Sequence, residues 1–127
     1  MDIERIRTYC WKKKGRITEG EPFGEGVLVF KVEGKMFLLA NLNDFPATVN
    51  LKCDPALAID IRERYESVTP GYHMNKKHWN TVVLNGGVPS QEILKMIDHS
   101  YELVVGSLGK SISEKLLAKQ GKQRTKR

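Results

Sequence analysis

The chain of 127 residues is long enough for one compact domain and too short for two. With 40% apolar and 28% charged residues it has an ordinary globular composition, and no apolar run approaches the ~20 residues that cross a bilayer. Its formal charge of +6 is confined to residues 110–127, which hold seven bases and one acid, Glu114; the neutral first 109 residues exclude a generically basic body.

The opening Met1-Asp2-Ile3-Glu4-Arg5-Ile6-Arg7 puts charges where a secretion signal needs an apolar stretch. Two cysteines, Cys10 and Cys53, make neither a disulfide framework nor a metal-type spacing, so a reducing, cytoplasmic setting is expected. Residues 2–13 read as a helix with Ile3, Ile6 and Cys10 on one stripe, closed by Lys12, Lys13 and Lys14 and ended by Gly15.

Residues 27–32 and 35–42 read as a hairpin around Glu33-Gly34. A two-residue loop predicts that Val32 faces Lys35, Phe30 faces Phe37 and Leu28 faces Leu39, with Leu28, Phe30, Phe37 and Leu39 on the core side. Residues 47–53 alternate as a third strand, Ala47, Val49, Leu51 and Cys53 inward, Thr48, Asn50 and Lys52 outward. Asp54-Pro55 then caps a second helix whose buried stripe is Leu57, Ala58, Ile61 and Tyr65.

Thr69-Pro70-Gly71 signals a turn, and residues 79–84 a strand broken by Asn85-Gly86-Gly87. A third helix starts at Pro89 or Ser90 with Ile93, Leu94, Ile97, Tyr101 and Val104 inward, and Gly106 to Gly109 loosens the chain. The expected domain is therefore residues 1–109, and residues 110–127 are expected to form a basic, mostly unstructured extension. Helices and antiparallel strands in this order predict a two-layer α+β fold, an antiparallel sheet covered by helices.

The stretch Pro70-Gly71-Tyr72-His73-Met74-Asn75-Lys76-Lys77-His78-Trp79-Asn80-Thr81-Val82 resembles the MmcQ/YjbR family of small bacterial proteins. Further matching stretches are Pro22-Phe23-Gly24, Phe30-Lys31-Val32, Gly34-Lys35-Met36-Phe37, Asn50-Leu51-Lys52-Cys53-Asp54-Pro55 and Asp98-His99-Ser100-Tyr101. The resemblance spans about residues 2–108. It implies a CyaY/frataxin-like fold and a "double wing" DNA-binding role in which hairpin loops act as wings. It implies no catalytic residues, and a fold by itself assigns no activity.

His73, Asn75, Lys76, Lys77 and His78 crowd a turn that enters a strand at Trp79. Lysine and asparagine side chains at a loop tip bind phosphate oxygens, and a neighbouring aromatic stacks on a base or braces the loop. Lys12, Lys13, Lys14 and Arg16 form a second basic cluster. The expected function is a non-enzymatic DNA-binding module in which these two clusters converge on one face with no carboxylates between them. Each cluster also has a plain explanation, a solvated turn and a helix end complemented by positive charge.

The alternative is a protein- or small-ligand-interaction domain with a groove formed by Tyr72, His73, Asn75 and Trp79. No metal or cofactor is expected, because His73 and His78 have no Cys or acidic partner at ligand spacing. The first helix mixes Asp2 and Glu4 with bases, unlike the acidic ridge of an iron-binding frataxin. Cys53 points inward beside Asp54, which argues against redox chemistry. Oligomeric state is not encoded in any visible pattern.

Overall fold

The computed structural model describes residues 1–71 and 74–125, with side chains described to residue 117. Helix α1 (Ile3–Trp11) starts at Asp2, whose side chain accepts the Arg5 N–H at 2.9 Å, and ends on Lys12 as its C-cap, three residues before the expected Gly15, which lies in the following turn at φ +94°. Four strands follow: β1 (Ile17–Gly20), β2 (Val27–Val32), β3 (Lys35–Asn41) and β4 (Thr48–Lys52). Helix α2 (Pro55–Arg64) begins on the Asp54 cap and Pro55 as the sequence predicts. Strands β5 (Val68–Pro70) and β6 (Trp79–Val83) lead to α3 (Ser90–Gly106) and α4 (Lys110–Thr125).

The six strands form one sheet in the order β1-β2-β3-β4-β6-β5, every neighbouring pair antiparallel. The α+β, helix-covered sheet expected from the sequence is what the structure has. The core lies between the sheet and the helices, with Ile6, Cys10, Ile93, Ile97, Tyr101 and Val104 on the helix side of the interface. Opposite them stand Phe30, Phe37, Leu38, Ala40, Val49, Leu51 and Val82. Phe30, Phe37 and Tyr101 stack in sequence, with centroids 6.5 and 5.6 Å apart, tying β2 and β3 to α3.

Of the stripe expected on α2, Ala58 and Ile61 are buried, whereas Leu57 is exposed. Two further expectations need correction. Glu33 (φ 49°) and Gly34 (φ 83°) do form the two-residue turn, and Val32 does face Lys35. After the next rung, Lys31–Met36, the ladder shifts by one residue, so Phe30 faces Leu38 and Leu28 faces Ala40. The bulge absorbs Phe37, keeping both phenylalanines in the core while it moves Leu38 and Ala40 into the core and turns Leu39 to the opposite face. The second correction concerns the C-terminal extension: α4 is a helix, and its Leu116 is buried in the main core cluster. Among the described residues, no helix is long and apolar enough to cross a membrane.

Candidate functional site

The sheet face turned away from the helices carries the site. Because side chains alternate across a strand, the register gives one continuous row over this face: Gly20, Val29, Leu39, Asn50, Thr81 and Thr69. Flanking positions on the same face are Asn41 and Thr48 on one side and Lys52 and Trp79 on the other, each pair in direct register. A groove of about 620 Å³ lies over this surface. Its apolar lining comes from Phe23, Met36, Leu39, Met74 and Trp79, and its polar lining from Asn41, Asp44, Thr48, Asn50, Asn75 and Thr81.

Hydrogen bonds within the protein fix the polar groups. Thr81 Oγ1 donates to Asn50 Oδ1 at 2.7 Å, and Thr48 Oγ1 donates to Asp44 Oδ2 at 2.7 Å. Asn75 Oδ1 accepts the Lys77 N–H at 3.0 Å, an Asx-type turn that shapes the loop before β6. The Asn75 carbonyl accepts the N–H groups of His78 and Trp79, and the His78 carbonyl accepts the Cys53 N–H at 2.7 Å. The loop therefore docks onto the end of β4 through its backbone. Gly71 leaves room for this: a Cβ there would sit 2.9 Å from Trp79 Cβ.

The predicted basic residues do not come together. Lys76 and Lys77 sit beside Arg62 of α2, whose Nη1 donates to the Lys76 carbonyl at 3.4 Å, around a shallow depression that includes Ile59 and Pro70. That is the β6–β5 edge. Lys12, Lys13, Lys14 and Arg16 follow α1, which packs on β1 and α3 at the other edge. Five strand spacings of ~4.8 Å put the two edges about 24 Å apart.

Acids also interrupt the α1 cluster. Lys13 pairs with Asp98, over the rings of Tyr9 and Tyr101. The Arg16 N–H donates to Glu33 at 2.6 Å, and the Lys14 carbonyl accepts the Tyr101 hydroxyl. Thus the convergence expected of Lys12, Lys13, Lys14, Lys76 and Lys77 fails, because α1 and α2 are anchored to opposite ends of the sheet. His73 and Tyr72 lie outside the described residues, as do Lys126 and Arg127.

Of the residues expected to line a groove, Asn75 and Trp79 do so. The outward position of Asn50 was legible from the alternation of β4. Phe23, Leu39 and Thr81 were not assigned to a site, since only the register of four strands brings them together. Both cysteines are buried, and burial pushes the Cys10 thiol up to about 12 and the Cys53 thiol up to about 11, with Asp54 adding to the effect at Cys53. Neither is a nucleophile near neutral pH.

On the helix side, α2 and α3 flank a smaller open pocket of about 200 Å³ with an apolar floor of Leu51, Leu57, Ile61, Val82 and Met96 and a charged rim that includes Arg64, Glu92, Lys95 and His99. Asn80 also lines it; its Nδ2 donates to the Ala58 carbonyl at 3.4 Å, while its Oδ1 has no partner among the described residues.

Comparison with known proteins agrees with this architecture. The Deinococcus radiodurans protein DR2400 has a crystal structure similar to this chain, with TM-score 0.83 and 33% identity, covering 90% of this chain and 86% of that one. A Pseudomonas syringae protein of known structure gives TM-score 0.69 at 28% identity over 81% of this chain and 98% of its own. The uncharacterised Escherichia coli K12 protein YjbR is 32% identical over 108 residues, 85% of this chain and 91% of the relative. Uncharacterised YbdF from Escherichia coli O157:H7 is 39% identical over 89 residues, 70% of this chain and 73% of the relative. The YjbR family profile matches residues 12–103, a span that takes in every strand, α2 and most of α3 but not α1, and the chain belongs to the YjbR family.

Proposed function

We propose that the chain is a non-catalytic binding module that holds a small ligand in the groove over its open sheet face. One observation carries this reading. Four stretches remote in sequence, each among those that bear the family resemblance, supply groove residues: Phe23, Met36, Asn50, and Asn75 with Trp79. Core packing does not account for them, since Phe23 is 67% exposed and Asn75 is exposed as well. A concave, largely apolar surface with a few oriented polar groups, and a volume within the few hundred to ~1,000 Å³ of small-molecule sites, is what ligand binding requires. Binding rather than catalysis suits a lining of amides, thioethers and aromatics with one carboxylate already bonded to a hydroxyl.

The test is a thermal-shift screen of small metabolites on the full chain and on the Phe23→Ser variant, a change at an exposed loop position. The expected result is a compound that raises the Tm of the native chain and shifts the variant less. If every stabilising compound acts equally on both proteins, the groove is not the binding site.

DNA binding is the second reading. It draws on the patch of Arg62, Lys76 and Lys77 and on the bases of residues 110–127, without the α1 lysines.

A further inference from the structure

We infer that the groove selects neutral, carbonyl-bearing rings, a class that includes xanthines, pyrimidinediones and quinones; this rests on the binding-module reading and specifies its ligand. The inference starts from three asparagines that line the groove, Asn41, Asn50 and Asn75. In each, the amide oxygen is already committed inside the protein. Asn41 Oδ1 accepts the Asn43 N–H at 2.9 Å, and Asn75 Oδ1 accepts the Lys77 N–H at 3.0 Å. A backbone N–H can only donate, so the oxygen of each amide is fixed and its Nδ2 is the end left over. Asn50 Oδ1 accepts from Thr81 Oγ1 at 2.7 Å, which leaves its Nδ2 over in this orientation, although a hydroxyl, unlike a backbone N–H, could also accept from the amide. None of these three Nδ2 groups has a partner among the described residues.

The groove therefore offers amide donors and asks for acceptors. Charge narrows the class further. Among the described residues, Asp44 is the one ionisable side chain in the lining, and no lysine or arginine accompanies it there. An anionic ligand would meet a carboxylate and no compensating cation, and a cationic one a carboxylate whose Oδ2 already accepts the Thr48 hydroxyl, whereas carbonyl oxygens accept from the free neutral amides without repulsion. Shape points the same way. Trp79 and Phe23 supply flat faces, and Met36 and Met74 supply polarisable thioethers that make favourable contacts with rings.

The experiment is a titration of the full-length, 15N-labelled chain with three ring probes, followed through the side-chain amide and indole signals. Caffeine presents carbonyl acceptors and no donor or charge; benzoate presents an anion; benzylamine presents a cationic donor. Caffeine is expected to shift the Asn41, Asn50 and Asn75 NH2 signals and the Trp79 indole, and to bind about tenfold or more tightly than either other probe. The Asn75→Asp variant keeps the acceptor for the Lys77 N–H and removes the free donor. It should lose about tenfold in caffeine affinity while its thermal midpoint stays unchanged.

Stronger shifts of groove signals by benzoate or benzylamine would overturn the ligand class and leave the binding module standing. If none of the three moves a groove signal up to its solubility limit, both the class and the groove as a binding site fall. An Asn75→Asp variant that binds caffeine as the native chain does would remove the amide donors from the account.

Discussion

Ser100 shows how one side chain can decide the shape of a sheet. Its hydroxyl is fully buried, donates to the Phe37 carbonyl at 2.6 Å and accepts the Lys52 N–H at 2.9 Å. Those two backbone groups belong to the rung that would follow the Leu38–Leu51 pair, so α3 inserts a hydroxyl where β3 and β4 would otherwise bond directly. Phe37 is also the residue absorbed by the β2–β3 bulge. Its carbonyl would be an orphan without Ser100, and buried backbone groups are expensive to leave unpaired. The Ser100→Ala variant removes one partner and strands two groups, and should cost about 2–3 kcal/mol in urea unfolding at unchanged m-value. A loss below about 0.5 kcal/mol would mean that the strands close up and make the rung themselves. No pattern of hydrophobicity announces this role: Ser100 reads as one more residue of a helix until the bulge is known.

At the scale of elements, α4 is the part whose attachment the sequence conceals. Its apolar residues Ile112, Leu116 and Leu117 are too few for a convincing stripe among eighteen mostly polar positions, which is why an unstructured extension was expected. The decisive contact is tertiary. Gly15, in the turn between α1 and β1 at φ +94°, lies so close to Leu116 that an added Cβ would stand 3.2 Å from its Cδ1 and 3.2 Å from Val32 Cγ2. Gly15→Ala combines a left-handed backbone with this crowding and should destabilise by about 1–3 kcal/mol. Leu116→Ala should cost about 2 kcal/mol or more. The two are coupled, because shortening Leu116 makes room for the new methyl, so the double variant should be less unstable than the sum by about 0.5 kcal/mol or more. Strict additivity, read from denaturant midpoints, would show that α4 does not rest on Gly15.

The helices α1, α2 and α3 and the strand centres were legible, because their periodicities and caps are local properties. Two short strands were not: in β1 the polar Glu19 faces the helices to bond Arg7 and Trp11, so its four residues show no apolar alternation, and β5 is three residues long with a proline. The groove was legible only in its Asn75–Trp79 corner, since the rest depends on a register that one bulge shifts.

Considered whole, the molecule separates its charge from its candidate site. Among the described residues the groove has no basic lining, the α1 lysines are interleaved with Asp98 and Glu33, and the net charge of +6 resides in residues 110–127. Any attraction to duplex DNA should then be long-ranged, insensitive to sequence and steeply weakened by salt. Cutting the chain near Leu108 is a poor test, because it also strips Leu116 from the core. Full-length charge variants separate the contributions. Neutralising Lys119, Lys122, Arg124, Lys126 and Arg127 to glutamine should abolish the low-salt anisotropy signal of a labelled duplex. The same change at Arg62, Lys76 and Lys77 should leave most of it, and the native log K against log salt should fall with a slope of roughly −0.9 per phosphate neutralised. The opposite pattern, binding lost with Lys76 and Lys77 and kept without the terminal bases, would put the DNA contact on the folded body beside β5 and β6. In that event the loop ahead of Trp79 would act as a wing, and the neighbouring groove would have to be read as part of the same surface.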